Sequence, residues 1–243
     1  MSVRIAMWSG PRNISTAMMR SFENRSDTSV VDEPFYAAYL AVSGIDHPMR
    51  EKTLATYPTD TRAIVDALLG PVPDGRPIFY QKHMTHHMLD GFDRSWIAQC
   101  RNAFLIRAPE RVLASYTEKR PDVALADIGF VQQSELFDRE ADRLGHAPPV
   151  IESEDVLADP RTALSALCTA LDIPFTEKML SWPAGPRTSD GIWGKVWYDA
   201  VERSTGFSPQ KTRDAKPLAD EIKAIADAAR PHYERLLAFK LNI

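Results

Sequence analysis

The chain opens Met1-Ser2-Val3-Arg4-Ile5-Ala6-Met7-Trp8-Ser9-Gly10-Pro11-Arg12-Asn13-Ile14-Ser15-Thr16-Ala17-Met18-Met19-Arg20-Ser21-Phe22. Val3 to Trp8 is an apolar run broken only by Arg4, the pattern of a buried strand. Gly10 and Pro11 end it in a tight loop, Ser9 to Asn13. From Ile14 the spacing turns helical: Ile14, Ala17, Met18 and Phe22 share a face, and the hydroxyls of Ser15 and Thr16 stand at the start. A strand, a tight loop and a helix N-terminus together make an anion site. The first-turn N–H groups lack intrahelical partners, and the helix dipole favours negative charge beside them. Arg12 adds a full positive charge at the crest. The bland alternative is an ordinary strand–turn–helix opening. The standard nucleotide loop, Gly-x-x-x-x-Gly-Lys-Ser/Thr, is not what stands here: no Lys follows a second Gly, and Ile14 occupies the place where that Gly is wanted.

Working outward, 243 residues with 44% apolar content suffice for one good core, and one α/β domain over 1–243 is expected. A net charge of -4 offers no general attraction to nucleic acid or to an anionic membrane, so any anion site is local. Cys100 and Cys168 fit no metal or redox spacing and suit a reducing cytoplasm. The first strand starts almost at Met1, which leaves no room for a signal peptide, and no run reaches bilayer-spanning length.

Further strands are expected at Thr28–Asp32, Ile78–Lys82, Asn102–Ile106 and Pro149–Glu152. Between them come helices: one opened by Pro34, then Thr59–Leu69, one from Pro109 to Glu118, Asp127–Leu144, and one capped by Asp159-Pro160. Ser43 to Pro58 reads as mostly loop and Met84–Leu89 as a short helix. Ser181–Gly194 is a Pro/Gly loop, Trp197–Arg203 looks helical, Ser204–Lys216 irregular, and Leu218–Phe239 closes the chain as a helix despite Pro231. Strands alternating with helices predict a central parallel sheet covered by helices on both faces, a three-layer α/β/α fold.

A second stretch carries chemistry. Phe104-Leu105-Ile106-Arg107-Ala108-Pro109 places Arg107 at the carboxyl end of a buried strand, where open parallel sheets bind ligands, and Ser115 follows on the next helix. Taken alone, Arg107 is equally at home in a structural salt bridge. Together with the opening stretch it resembles the sulfotransferase family. In that family a Pro-Lys/Arg-Ser-Gly-Ser/Thr-Thr loop cradles the 5′-phosphosulfate of PAPS (3′-phosphoadenosine 5′-phosphosulfate), and a strand-end Arg followed by a helical Ser binds its 3′-phosphate. The resemblance implies a P-loop-like fold and a cradle of Gly10, Pro11, Arg12, Asn13, Ile14, Ser15 and Thr16. It implies that Arg107 and Ser115 hold the 3′-phosphate, at the other end of the ligand from Arg12. Asn13, Ile14 and Ala108 depart from the usual Ser, Gly and Asp. A third match, Val150-Ile151-Glu152-Ser153-Glu154-Asp155 to Asp159-Pro160, followed by Leu171 to Phe175, is read as structural.

The activity implied is sulfuryl transfer from PAPS to a hydroxyl or amine of a small-molecule acceptor, with PAP (adenosine 3′,5′-bisphosphate) leaving and no metal required. Arg12 would stabilise the sulfuryl and bridging oxygens, and Lys82 would assist. Two candidates compete for the general base. The cytosolic branch of the family points to His83, with His86 left open, although adjacent Lys82 and His83 face opposite sides of a strand. Some bacterial members carry Glu-Pro at the end of the second strand, matched here by Glu33-Pro34. Glu33 is favoured. Trp193 or Trp197 either stacks on adenine or belongs to the core. The rival functions are a P-loop nucleotide or nucleoside kinase, lacking here its Gly-Lys pair and a clear carboxylate for Mg²⁺, and a non-catalytic nucleotide-binding module. A pyridoxal-phosphate enzyme is disfavoured because no Lys has a recognisable Schiff-base setting.

Overall fold

The structure is a computed structural model that describes residues 2–208 and 218–243. Five strands, β1 (Val3–Ser9), β2 (Thr28–Asp32), β3 (Ile78–Met84), β4 (Arg101–Ile106) and β5 (Val150–Glu152), form one sheet in the order β2-β3-β1-β4-β5. Every pairing is parallel. The chain moves from β1 to one side of the sheet for β2 and β3, then crosses to the other side for β4 and β5. The carboxyl ends of β1 and β4 therefore flank the point where the winding reverses, the place where such sheets open a crevice.

Side-chain alternation sorts the strands between two cores. Ile5 and Met7 of β1 and Ala103 and Leu105 of β4 enter one core; Ala6, Trp8, Phe104 and Ile106 enter the other. The first core is covered by α1 (Ser15–Glu23), through Met18, Met19 and Phe22. Next to β5, whose Ile151 enters this core and whose Val150 enters the other, α8 (Ser153–Ala158) and α9 (Pro160–Ala170) complete that layer. The opposite layer is built from α2 (Tyr36–Ser43), α4 (Thr61–Leu69), α5 (Pro109–Tyr116), α6 (Leu125–Ile128), α7 (Phe130–Leu144) and α12 (Asp220–Leu237). Asp159 caps α9 by accepting from the Thr162 N–H, as its position before Pro160 predicts.

The structure departs from the sequence reading in several places. Part of the expected loop Ser43–Pro58 is a helix, α3 (Arg50–Thr56); Thr53 is sealed in and Leu54 packs on an aromatic cluster, a tertiary gain that a seven-residue segment does not advertise. Asp127–Leu144 is two helices, because Gly129 takes φ 67° between them. A Cβ there would lie 2.4 Å from Thr85 Oγ1, so glycine lets this corner press against the turn that follows β3. Trp197–Arg203 is replaced by two single turns, α10 (Gly194–Trp197) and α11 (Asp199–Glu202). Residues 204–208 are irregular, apart from a bridge between Gly206 and Ser181; 209–216 of that expected stretch lie outside the described residues. Among the described residues, no helix is long and apolar enough to cross a membrane.

Candidate active site

A cleft of about 360 Å³ opens at the carboxyl edge of the sheet. Residues from Pro11 through Thr16 line it, with Glu33, Lys82, Arg107 and Ser115. Two candidates stand apart. Gly10 is not on the lining: a Cβ there would meet the Ile128 carbonyl at 2.6 Å, so its service is to let the corner before α7 close on the loop. His83 is turned into the opposite core layer, stacked on Trp8 at 4.5 Å with Nε2 3.2 Å from Gln81 Oε1. Strand parity separates it from Lys82, so His83 cannot reach an acceptor in the cleft.

The loop after β1 is held in an unusual shape. Arg12 (φ 56°) and Ile14 (φ 45°) are both left-handed. For a β-branched residue this is costly, and it falls where the family carries Gly. Asn13 ties the loop down by donating from Nδ2 to the Leu105 carbonyl at 2.7 Å. Ile14 is the N-cap of α1 and no side chain among the described residues caps the helix, which leaves its first turn open to an anion.

Arg107, at the end of neighbouring β4, donates from Nη1 to the Arg12 carbonyl at 2.8 Å. Arg12 in turn donates from Nε to Ser115 Oγ at 2.9 Å. The two anion stretches are thus in direct contact. The reason is the strand order: β1 and β4 are hydrogen-bonded neighbours, so their carboxyl-end loops abut. Glu154 Oε1 lies 3.4 Å from both Arg107 Nε and Arg111 Nε. The segment read as purely structural therefore brings a carboxylate to this corner.

On the other half of the cleft, β2 and β3 place Asp32 beside Lys82 in register. Lys82, 1% exposed, donates to Asp32 Oδ1 at 2.8 Å, Glu33 Oε1 at 2.6 Å and the Tyr198 hydroxyl oxygen at 2.7 Å. An ammonium has three protons, and these three acceptors take them all. The sequence reading has Lys82 assist at sulfur; with all three protons so engaged, it has none left for that. Tyr198 also accepts from Trp193 Nε1 at 3.1 Å and donates to Asp32 Oδ2 at 2.7 Å. Asp32 Oδ2 further accepts the Gly191 N–H at 3.0 Å, so both Asp32 oxygens are committed. The side-chain hydrogen bonds of Glu33 among the described residues all land on Oε1. Burial works against the Lys82 ammonium, but Asp32 and Glu33 outweigh it and hold its pKa above the usual range. Burial, reinforced by Asp32, raises the Glu33 carboxyl against the opposing pull of Lys82.

A ring cluster completes this half. Tyr36 stacks on His87 at 4.8 Å and shares a 2.9 Å hydrogen bond with His47 Nδ1. Trp193 is 2% exposed and meets Tyr36 edge-on, a wall residue already occupied, whereas Trp197 stays half-buried on the lining. Sequence reasoning missed Tyr198, His47, His87 and Tyr36. Tyr198 lies 116 residues from Lys82, and nothing in its local sequence marks it.

The sulfotransferase domain model matches residues 3–239. The Arabidopsis thaliana protein called branched-chain-amino-acid aminotransferase-like protein 1 is 36% identical over 217 residues, 88% of this chain but 38% of that protein, so the chain spans well under half of its relative's length. Among solved structures, the sulfotransferase domain of the Synechococcus PCC 7002 olefin synthase superposes with TM-score 0.54 at 18% identity, covering 93% of this chain and 94% of that one. A sulfotransferase from Alicyclobacillus acidocaldarius gives TM-score 0.54 at 12% identity, over 98% and 96% of the two chains. These structures share the parallel sheet and helical layers described above, and with the domain match over nearly its whole length the chain belongs to the sulfotransferase domain family.

Proposed function

We propose that the protein transfers a sulfuryl group from PAPS to a hydroxyl or amine of a small acceptor. The observation that carries this reading is the Arg107–Arg12 contact at the β1–β4 crevice. It sets an uncapped helix start and a strand-end guanidinium side by side, which suits a nucleotide bearing two anionic groups on one ribose. The lining groups on that half are donors: backbone N–H, two guanidinium groups and hydroxyls.

In this reading the N–H groups of the Pro11–Thr16 loop receive the 5′-phosphosulfate, and Arg107 and Ser115 face the 3′-phosphate. Glu33 takes the acceptor's proton. The freed lone pair bonds to sulfur, the bond from sulfur to the 5′-phosphate oxygen breaks, and its electron pair leaves with PAP. Arg12 and the loop stabilise the charge that grows on those oxygens. Lys82 acts as a positioning residue that fixes the Glu33 rotamer. A kinase reading fares less well, because Glu33, the carboxylate on the lining among the described residues, and its neighbour Asp32 are both bonded to Lys82.

Thermal-shift titration tests this. PAP and PAPS are expected to raise the melting temperature well above the effect of ATP with Mg²⁺, and EDTA is expected to leave the PAP shift unchanged. Equal shifts for PAP and ATP, or loss of the PAP shift in EDTA, would overturn it.

A further inference from the structure

Residues 187–193 run between α1 and the Lys82 network and are tied to both. On the α1 side, Arg20 lies one turn beyond Thr16 and is 1% exposed. It donates from Nη2 to Asp190 Oδ2 at 2.6 Å. Ser189 Oγ donates to Glu23 Oε1 at 2.5 Å. Asp190 Oδ2 also accepts the Arg187 N–H at 2.8 Å, which closes a turn from Arg187 to Asp190. On the other side, the Gly191 N–H donates to Asp32 Oδ2 at 3.0 Å, and Trp193 Nε1 donates to the Tyr198 hydroxyl oxygen at 3.1 Å. Glycine is needed at 191: a Cβ there would lie 2.1 Å from the Trp193 ring, which folds back over this backbone.

The two ties are adjacent in sequence at both ends. Asp190 precedes Gly191, and Asp32 precedes Glu33. The Arg20–Asp190 ion pair is buried on both sides, so each partner depends on the other for its hydrogen bonds. Glu33 itself is in a conformation that needs support. Its φ of 46° is left-handed, which is costly with a Cβ and persists only where the surroundings over-determine it. Its N–H donates to the Lys82 carbonyl at 2.9 Å, and its carbonyl accepts the Tyr36 N–H at 3.0 Å. Asp32, held by Gly191 and Tyr198, fixes the residue before it.

We propose that Asp190 is a positioning residue for proton abstraction. Its pairing with Arg20 fixes residues 187–193 against α1. Gly191 and Trp193 then hold Asp32 and Tyr198, and these hold Lys82 and the strained Glu33 in place. The role rests on the sulfuryl-transfer reading and adds to it that the base and the anion loop are built on one frame. α1 carries that loop at its start and the anchor for Asp190 near its end. A shared frame matters because the acceptor oxygen has to meet Glu33 and sulfur together, and a misplacement of about 1 Å costs roughly 10²-fold in rate.

The test compares wild type with Asp190→Asn, which keeps the side chain's shape and gives up its charge. Trp193→Phe keeps a ring and cuts the tie at the other end. Three quantities are read: PAP affinity by calorimetry, PAP formed from PAPS with water as the acceptor, and the titration of the Glu33 carboxyl carbon by NMR, assigned by its absence from Glu33→Gln. Burial is the main cause of the raised Glu33 carboxyl, so a loosened frame that admits water lowers its midpoint. Both variants are expected to lower that midpoint by at least about half a pH unit and PAP formation by at least about fivefold, with PAP affinity within about twofold. If PAP does not bind wild type, the sulfuryl-transfer reading falls and this inference falls with it. If PAP binds and Asp190→Asn leaves the Glu33 midpoint and PAP formation unchanged, the positioning role alone is overturned. A lowered melting temperature with an unmoved midpoint also overturns it, since the pair then serves stability and nothing else. Should Asp190→Asn not fold, the same two readouts in Trp193→Phe decide.

Discussion

Lys82 Nζ and Glu33 Oε1 meet at 2.6 Å inside the protein, in a network where one lysine serves two carboxylates. The surplus negative charge falls on Glu33, because Asp32 has both oxygens occupied. Glu33→Gln keeps the size and an acceptor oxygen for Lys82 but cannot take a proton. Turnover with PAPS should fall by about 10²- to 10⁴-fold, the usual worth of a general base, with PAP affinity unchanged. Initial rates and calorimetric PAP titration check this; undiminished turnover would remove Glu33 from the mechanism.

Removing the cation has a different signature. Lys82→Met leaves two buried carboxylates against Tyr198 and should cost about 3–5 kcal/mol in urea denaturation. Adding Glu33→Gln to that variant should recover part of the loss, since one uncompensated charge disappears. A Lys82→Met protein as stable as wild type would show that the pair carries no structural weight.

Acid should destabilise the fold through its buried histidines. Burial pushes His83 and His86 down to about 3 and His47 down to about 4, and His87 is lowered as well. With an unfolded value near 6.5, the unfolded chain binds these protons first. The stability contribution is therefore complete above about pH 6.5 and is lost as pH falls toward 4, by about 1.4 kcal/mol per unit for each proton. Glu33 works the other way, since its raised pKa is a penalty that acid relieves, but one carboxyl is outnumbered. Urea midpoints between pH 7 and 5 should show this slope, and His83→Phe should lower it by about one proton. An unchanged slope would contradict the assignment.

Backbone strain at Ile14 predicts an inverted ranking. Its φ of 45° suits glycine and disfavours any Cβ by about 1–2 kcal/mol. Ile14→Gly and Ile14→Ala both lose the packing of this half-buried side chain, but only Gly relieves the backbone. The Gly variant should be the more stable by about 1 kcal/mol in denaturant melts. An Ala variant equal to or better than Gly would show that the loop is not strained.

The legible parts of the fold were those set by local rules. Gly10-Pro11 and the change of period at Ile14 predict β1, the loop and α1, and the face alternation of a strand predicts that Lys82 and His83 part company. Partnerships that depend on topology were not legible. The Arg12–Ser115 bond follows from β1 lying beside β4, and the Tyr198 bond to Lys82 needs the carboxyl-terminal turns to fold back over β2 and β3. The break at Gly129 depends on the approach of Thr85, which no local period encodes.

The Arg107–Arg12 contact reshapes the expectation for the anion half. Arg107 makes a 2.8 Å hydrogen bond that braces the loop at the Arg12 carbonyl, and under the proposed function its charge also serves the 3′-phosphate. Arg107→Ala should therefore weaken PAP by roughly tenfold to a hundredfold, the scale of a charge-assisted contact worth about 1.5–3 kcal/mol. Adenosine 5′-phosphate never meets that charge and should lose only the brace, so the affinity ratio of PAP to adenosine 5′-phosphate should fall about tenfold. Arg12→Ala removes a guanidinium from the side of the cradle where oxygen charge grows in the transition state, and should lower turnover more than PAP affinity. Ser115→Ala releases the Arg12 side chain and removes the hydroxyl proposed to face the 3′-phosphate, while leaving the loop carbonyl untouched. Calorimetric titration of PAP and adenosine 5′-phosphate against all three variants, with initial rates for Arg12→Ala, distinguishes these roles. Equal weakening of both nucleotides by Arg107→Ala would make Arg107 a loop brace alone and would move the 3′-phosphate contact elsewhere in the cleft.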